Sequence, residues 1–297
     1  MEYVFGDIIV APTNTDRVVY ADAGITKGDV IAYYADVASV MLPELSRRPL
    51  TIERFTKGVD AGGFYQKHAQ KHYPAWIDRV PVAGKTKVTY PICDTPAGLV
   101  YFANQGGFVF HVWTSRVEAL GNPDMIVFDL DPPAGGLALV RQAAHLIREL
   151  LDAVGLPAFV KTSGSKGLHV VTPLDGAATY AQVEALCAAM SAILVRRHPD
   201  VLTQEFYKKD RKGRLFLDTM RNTFGATVVA PYSLRGKPGA PVSAPITWAE
   251  VDTIAPDDLK LPDIRARLDR IGDPWHALRA TPGNVAAAAA ALATLAP

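Results

Sequence analysis

The sequence predicts an α+β fold, and three observations lead to it. Stretches with helical apolar spacing are mixed with short apolar runs of strand type. Several of those runs are separated by tight Gly- and Ser-containing turns. The 297 residues, 49% hydrophobic and 21% charged, suffice for a sizeable core in one large domain or two closely packed ones.

The elements follow in order. TKGDVIAYYADVASVML predicts a helix from about Thr26, with Val30, Tyr34, Val37 and Met41 on one face. GLVYFAN and FVFHVWTS are expected as neighbouring strands joined by the Gly106-Gly107 turn, and MIVFDLD as another strand. Leu139, Ala143, Leu146, Leu150 and Val154 line a helix that Gly155 ends. AFVKT and LHVVTPL are strands around the turn SGSKG. A helix from about Thr179 to Arg197 turns Val183, Leu186, Met190 and Ile193 inward, and Arg196 and Arg197 complement its dipole. RLFLDTM and ATVVAPYSL add strands, GKPGAPVSAP is expected to be an ordered surface crossing, and Thr247 caps the short helix TWAEV. The end, NVAAAAAALATLAP, can be helical from Asn284 but has little to bury, so partial disorder is expected. With no repeat or long linker, residues 1–280 are expected to form a single domain. Its N-terminal part covers about 1–120 and a catalytic core about 121–252, and an Ala-rich tail covers 281–297.

Composition excludes several classes. A formal charge of +1 rules out bulk polyanion binding, so any nucleic-acid surface must be a local basic patch. Cys93 and Cys187 alone make neither a disulfide framework nor a cysteine zinc site. MEYVFGD lacks the pattern of a secretory leader, and no apolar run approaches the ~20 residues of a membrane span. A cytoplasmic, nucleoid-associated protein is expected, with no membrane partner.

The chemistry concentrates in three motifs. In MIVFDLDPP, Asp129 and Asp131 are two apart in a strand and so share one face, while Phe128 and Leu130 share the other. Two like charges so close call for a cation, and hard divalent metals take such oxygen ligands. Pro132 and Pro133 end the ladder, which places the acids at a strand terminus near solvent; a plain solvated strand end is the alternative. In KTSGSKGLHV, Gly164 and Gly167 allow a tight turn with exposed N–H groups, and Ser163, Ser165, Lys166 and His169 add donors. That inventory suits phosphate, although the spacing is not that of a Walker A loop, and an ordinary turn has the same composition. KKDRKGRLFLDTMRN joins a basic run (Lys208, Lys209, Arg211, Lys212, Arg214) to a third strand acid, Asp218. The run is either a solvated tip or a contact for a nucleic-acid backbone. A third carboxylate is what a two-metal site requires. Singly weaker are His111 within FVFHVW, the Phe64-Tyr65 pair, and His68 and His72, which lack the glutamate of a zinc-hydrolase helix. Spread over residues 129 to 218, the three motifs together form a kit for polymerising nucleotides.

On these residues the chain resembles the polymerase domain of bacterial ATP-dependent DNA ligase D, in the archaeo-eukaryotic primase superfamily. The stretches that carry the resemblance are RPLTIERFTKGVDAGGFYQKH, GFVFHVWTSR, PDMIVFDLDPP, KTSGSKGLHVVTPL, FLDTMRN and GATVVAPYSLRGKPGAPVSAPITWAEV. It implies a primase-polymerase catalytic fold with mixed or antiparallel sheets flanked by helices. It also implies a nucleotidyltransferase that extends a primer 3′-hydroxyl, with ribonucleotides preferred, to fill short gaps or break ends in DNA repair. Asp129, Asp131 and Asp218 then hold two catalytic ions, Mn²⁺ or Mg²⁺. Ser163, Lys166, His169, Arg221 and Arg235 belong to the nucleotide site on the triphosphate side, and His111 contacts the sugar. Lys27 meets a 5′-phosphate across a gap, Phe64 and Tyr65 pack on template bases, and Arg54 and Arg211 lie near DNA or nucleotide. The implied partners are gapped or broken DNA with a 5′-phosphate, NTP or dNTP, a DNA ligase and an end-binding protein.

Two positions depart from the pattern. Glu53 stands where some relatives carry a basic residue at the 5′-phosphate pocket, and Arg221 replaces a residue that is often Gln. With no ligase or nuclease segment before Pro297, a stand-alone polymerase is expected rather than an excised domain. The alternatives are a phosphohydrolase of the haloacid dehalogenase type, which shares a VFDLD-like motif, and a catalytically silent DNA-end scaffold. Pro132-Pro133 argue against the first, and the three aspartates against the second.

Overall fold

Apolar surface divides the chain between two cores. A computed structural model describes residues 2–83, 87–133 and 135–295. One unit comprises Met1–Trp113, Thr227–Ala244 and Asp257–Asp273; the other comprises Thr114–Ala226, Pro245–Pro256 and Pro274–Pro297. Among the described residues no helix is long and apolar enough to cross a membrane.

The first unit is built on an antiparallel sheet in the order Thr227–Val229, Gly107–Trp113, Leu50–Arg54, Phe64–Gln66. Its core is aromatic, with Tyr20, Tyr34, Phe102, Phe108 and Phe110 fully buried. The expected first helix is present but divided. Lys27–Asp36 starts on a Thr26–Asp29 capping box, and Ala38–Leu45 follows after Val37. Val30, Tyr34, Val37 and Met41 are all buried, as their spacing requires. The run GLVYFAN is not a strand. It belongs to the helix Pro96–Asn104, which Thr95 caps through the Gly98 N–H and Pro96 begins. The helix is buried along most of its length, so its apolar pattern lacks the polar face that separates helix from strand.

The second unit carries the antiparallel sheet Met125–Leu130, Leu168–Pro173, Phe159–Thr162, Pro245–Ile246. Leu137–Ala153 packs on it, and Tyr180–Arg197 begins on a Thr179–Gln182 capping box. The GKPGAPVSAP segment differs from expectation: Ala240 to Ile246 are buried, because Val242–Ser243 pairs with Ser233–Leu234 and Pro245–Ile246 pairs with Phe159–Thr162. The Ala-rich end also differs. Val285–Thr294 is a helix whose Asn284 cap accepts from Ala287 N–H at 2.8 Å. It buries Val285, Ala288 and Leu292 in contact with Tyr180–Arg197. Alanines leave room for helices to approach closely, so three apolar contacts suffice where composition alone shows low complexity.

One close approach fixes the geometry that follows. A side chain at Gly167 would place Cβ 1.9 Å from the Leu130 carbonyl oxygen. That oxygen is backbone and cannot move aside cheaply. Gly167→Ala is expected to destabilise the protein by about 2–3 kcal/mol, measured by denaturant unfolding. Wild-type stability in that variant would refute the close approach.

Candidate functional site

In the second unit, strand register lines up four residues across the sheet. Asp129 is paired with His169, and His169 with Lys161. On its other edge Asp129 bridges Asp218, whose carbonyl accepts the Asp129 N–H at 3.3 Å. Residues in one register row lie on one face, so Asp218, Asp129, His169 and Lys161 form a row of ionisable side chains. Asp129 is 7% exposed and Lys161 1% exposed, so the strand terminus near solvent is reached only at Asp131, which is exposed. The expectation that both acids lie near solvent is therefore corrected. Asp129 sits one residue inside a strand that is buried along its whole length.

Both oxygens of Asp129 face nitrogen. Oδ2 accepts from Arg221 Nε at 3.0 Å, and Oδ1 lies 3.4 Å from His169 Nε2. Burial pushes this carboxyl up, but His169, then Arg221, then Lys161 outweigh it and hold it below the usual carboxylate value. Asp218 moves the opposite way. Burial raises it first, and the charge of Asp129 adds to that against the Met220 N–H, Arg221 and Arg211. Arg221 is itself raised, since Asp129, Asp218 and Asp131 outweigh its desolvation.

The SGSKG hairpin presents its polar atoms in a fixed arrangement. Ser163 Oγ accepts the N–H groups of Ser165 at 3.2 Å and Gly167 at 3.1 Å, and Gly164 takes a positive φ of 64°. Lys166 is exposed beside it, and His169 begins the returning strand one residue inside. On the opposite edge of Met125–Leu130, Asn222 replaces a missing strand. Its Oδ1 accepts from Val127 N–H at 2.8 Å, and its Nδ2 donates to the Val127 and Thr219 carbonyls at 2.9 and 3.0 Å. This side chain ties the turn after Asp218 to the strand that bears Asp129. Sequence reading missed both Lys161 and Asn222. Lys161 was legible as the residue at i−2 from Ser163, on the same strand face; Asn222 carried no such signal. Arg211 folds back on its own segment, donating to the Glu205 and Phe206 carbonyls and lying over the Phe216 ring at 4.5 Å.

The first unit holds the remaining expected residues. His111 lies on the central strand opposite Thr51 and Val229, and its ring meets Tyr65 edge-on at 5.7 Å. Phe64 and Tyr65 are both exposed. Arg54 lies over Phe64 and is held by the Gln105 carbonyl and Gln66 Oε1. Arg235 is half-buried, and its charge acts on Glu53, whose carboxyl burial pushes up. Lys27 is 3% exposed, and its Nζ donates to the Thr13 carbonyl at 2.6 Å and Asn104 Oδ1 at 2.7 Å. Burial, with help from Arg17, brings its ammonium down to about 8. Arg17 is a second charge at that position which sequence reading did not single out.

Among the described residues no group of three or more His, Cys, Asp or Glu side chains is drawn together tightly enough to hold a metal ion. The donor set nevertheless fits a hard cation. Asp129 pairs directly with the Arg221 guanidinium, and the charges of Asp218 and Asp131 act on the same group, so oxygen donors of the type a hard cation takes already share one positive partner. A largely buried row of two acids, a histidine and a lysine, a Ser/Gly loop and nearby basic side chains form the candidate site, whose inventory is of the type that handles phosphate esters.

Comparison with known proteins makes the assignment specific. Residues 26–275 match the model for the LigD primase-polymerase domain. The multifunctional non-homologous end joining DNA repair protein LigD of Mycobacterium tuberculosis is 38% identical over 274 residues, covering 89% of this chain and 36% of that protein. The bifunctional LigD of Bacillus subtilis is 29% identical over 266 residues, covering 89% and 43%. The chain thus spans well under half the length of these relatives. A solved polymerase domain of Mycobacterium tuberculosis ligase D, in complex with DNA, superposes with a TM-score of 0.87 at 37% identity, covering 92% of this chain and 99% of that one. The chain belongs to the LigD primase-polymerase domain family, and it is a nucleotidyltransferase of α+β fold. Polymerase domains of this family are metal-dependent. The phosphohydrolase and silent-scaffold alternatives fall with this membership.

Removing the Asn222 side chain leaves Val127 N–H and C=O unpaired. Asn222→Ala is expected to cost roughly 2–4 kcal/mol of stability in denaturant unfolding. A loss below about 1 kcal/mol would show that the amide does not anchor the Asp218 turn.

Proposed function

We propose that this chain extends a primer 3′-hydroxyl on a DNA template, filling short gaps or break ends in DNA repair, non-homologous end joining included. The observation that carries the reading is the row Asp218–Asp129–His169, set by strand register beside a loop with a phosphate-type inventory. We treat residues 1–280 as one functional polymerase domain.

In this reading Asp129, Asp131 and Asp218 hold divalent cations, two ions of Mn²⁺ or Mg²⁺. Bound there, they supply Lewis-acid stabilisation of the attacking and leaving oxygens. Ser163, Lys166, His169 and Arg221 bind the triphosphate and offset its charge as pyrophosphate leaves. Within the first unit, Arg235 is assigned to the triphosphate and His111 to the sugar. A histidine that donates to a 2′-hydroxyl favours ribonucleotides, since that hydroxyl tells RNA from DNA. Phe64 and Tyr65 offer exposed rings for stacking on template bases. Arg54 and Arg211 are assigned to DNA, and Lys27, with Arg17, to the 5′-phosphate of the gap. Burial raises the carboxyl of Glu53, which is also subject to the charge of Arg235. The partners are gapped or broken DNA bearing a 5′-phosphate, NTP or dNTP, a DNA ligase and an end-binding protein, in the cytoplasm at the nucleoid.

The test is extension of a gapped, 5′-phosphorylated duplex with Mn²⁺ and labelled nucleotides. Wild type is expected to add template-complementary nucleotides, ribonucleotides more readily. Asp129→Ala is expected to lose on the order of 10⁴-fold in rate. No extension by wild type, or equal extension by the variant, would sink the reading. A second prediction concerns pH. Lys27 is cationic below about 8 and neutral above it. The preference for a 5′-phosphate over a 5′-hydroxyl end is therefore full at pH 7 and declines as pH rises through about 8. A binding ratio unchanged up to pH 10 would reject Lys27 as the phosphate contact.

A further inference from the structure

We infer that Arg221 is a latch on the metal site: its guanidinium and the cation compete for Asp129, and nucleotide phosphates release the latch by drawing Arg221 away. The inference rests on the proposed function above and adds an order of events to it.

Four observations carry it. The pair is direct, with Nε 3.0 Å from Oδ2, on the most deeply buried of the three acids. The other Asp129 oxygen already faces His169, so a cation cannot reach this carboxylate without sharing or displacing a nitrogen neighbour. The arginine side chain is 43% exposed and the aspartate 10%, so a cation arriving from solvent meets the guanidinium first. The charge of Arg221 also acts on Asp218 and Asp131, which is the neutralising work a divalent ion would do.

The contact is also made for release. It uses Nε alone, and the terminal Nη groups make no hydrogen bond among the described residues. A two-pronged arginine–carboxylate pair would be stronger and more rigid. The backbone beneath is fixed, because Met220–Asn222 is pinned to Val127 by Asn222. Only the long side chain must move. Phosphate oxygens offer the planar guanidinium the bidentate geometry it lacks here. Lys161 stays behind in the row, so Asp129 keeps a buried positive neighbour when Arg221 departs.

The test measures binding rather than turnover. Free Mn²⁺ is titrated by electron paramagnetic resonance against wild type, Arg221→Gln and Asp129→Asn, without nucleotide. Arg221→Gln is expected to bind Mn²⁺ roughly tenfold tighter or more, since one positive charge leaves the site. Asp129→Asn is expected to lose the ion. A structural defect would not raise metal affinity, so the gain is specific to a latch. Equal or weaker Mn²⁺ binding by Arg221→Gln, with wild-type binding still dependent on Asp129, would overturn the latch and leave the metal site standing. Absent or Asp129-independent binding in wild type would overturn both. In a second arm, ATP is titrated in EDTA. Weaker ATP binding by Arg221→Gln supports phosphate as the release signal, and unchanged binding overturns that half.

Discussion

Carboxylates brought into one row of a sheet repel one another, and the second unit is arranged to oppose that repulsion. The opposition comes first from uncharged backbone. Asp129 gives its N–H to the Asp218 carbonyl, and Asn222 binds Val127 as a neighbouring strand would. These bonds fix main chain, so the two acids stay close whatever their side chains carry. Nitrogen partners come second: His169 and Lys161 on one side, Arg221 on the other. The divergence of the two carboxyls, Asp129 down and Asp218 up, follows from who stands nearest to each.

Much of this was legible in the sequence, for physical reasons that differ from residue to residue. Asp129 and Asp131 could be read because two acids at the two-residue spacing of one strand face end an otherwise unbroken apolar run. The Ser/Gly/Lys/His loop could be read because turn residues between two apolar runs leave one local solution. The bridge from Asp129 to Asp218 is a matter of tertiary register, and no local pattern encodes it. Asn222 was equally silent, since an amide that imitates a peptide unit has the composition of any turn. The helix Pro96–Asn104 was misread because burial on nearly every side removes the polar face that marks a helix. The Ala-rich helix was undervalued because its anchors, Val285, Ala288 and Leu292, are few against so many alanines.

The first unit shows a different economy. Its expected binding residues are held by their neighbours rather than left loose: Arg54 by Gln66 and Gln105, Tyr65 by His111, Lys27 by Thr13 and Asn104. For Lys27 this has an electrostatic side. Desolvation, with the charge of Arg17, brings the ammonium down to about 8, toward neutrality near physiological pH.

The Ser163 hydroxyl, finally, has a kinetic meaning. By collecting the amides of Ser165 and Gly167 it keeps both aimed at a single oxygen. Under the function proposed above, a phosphate oxygen arriving there replaces one acceptor by another of the same kind, and the loop need not search for its shape. The ordering entropy of that turn is spent once, when the chain folds, rather than in every catalytic cycle.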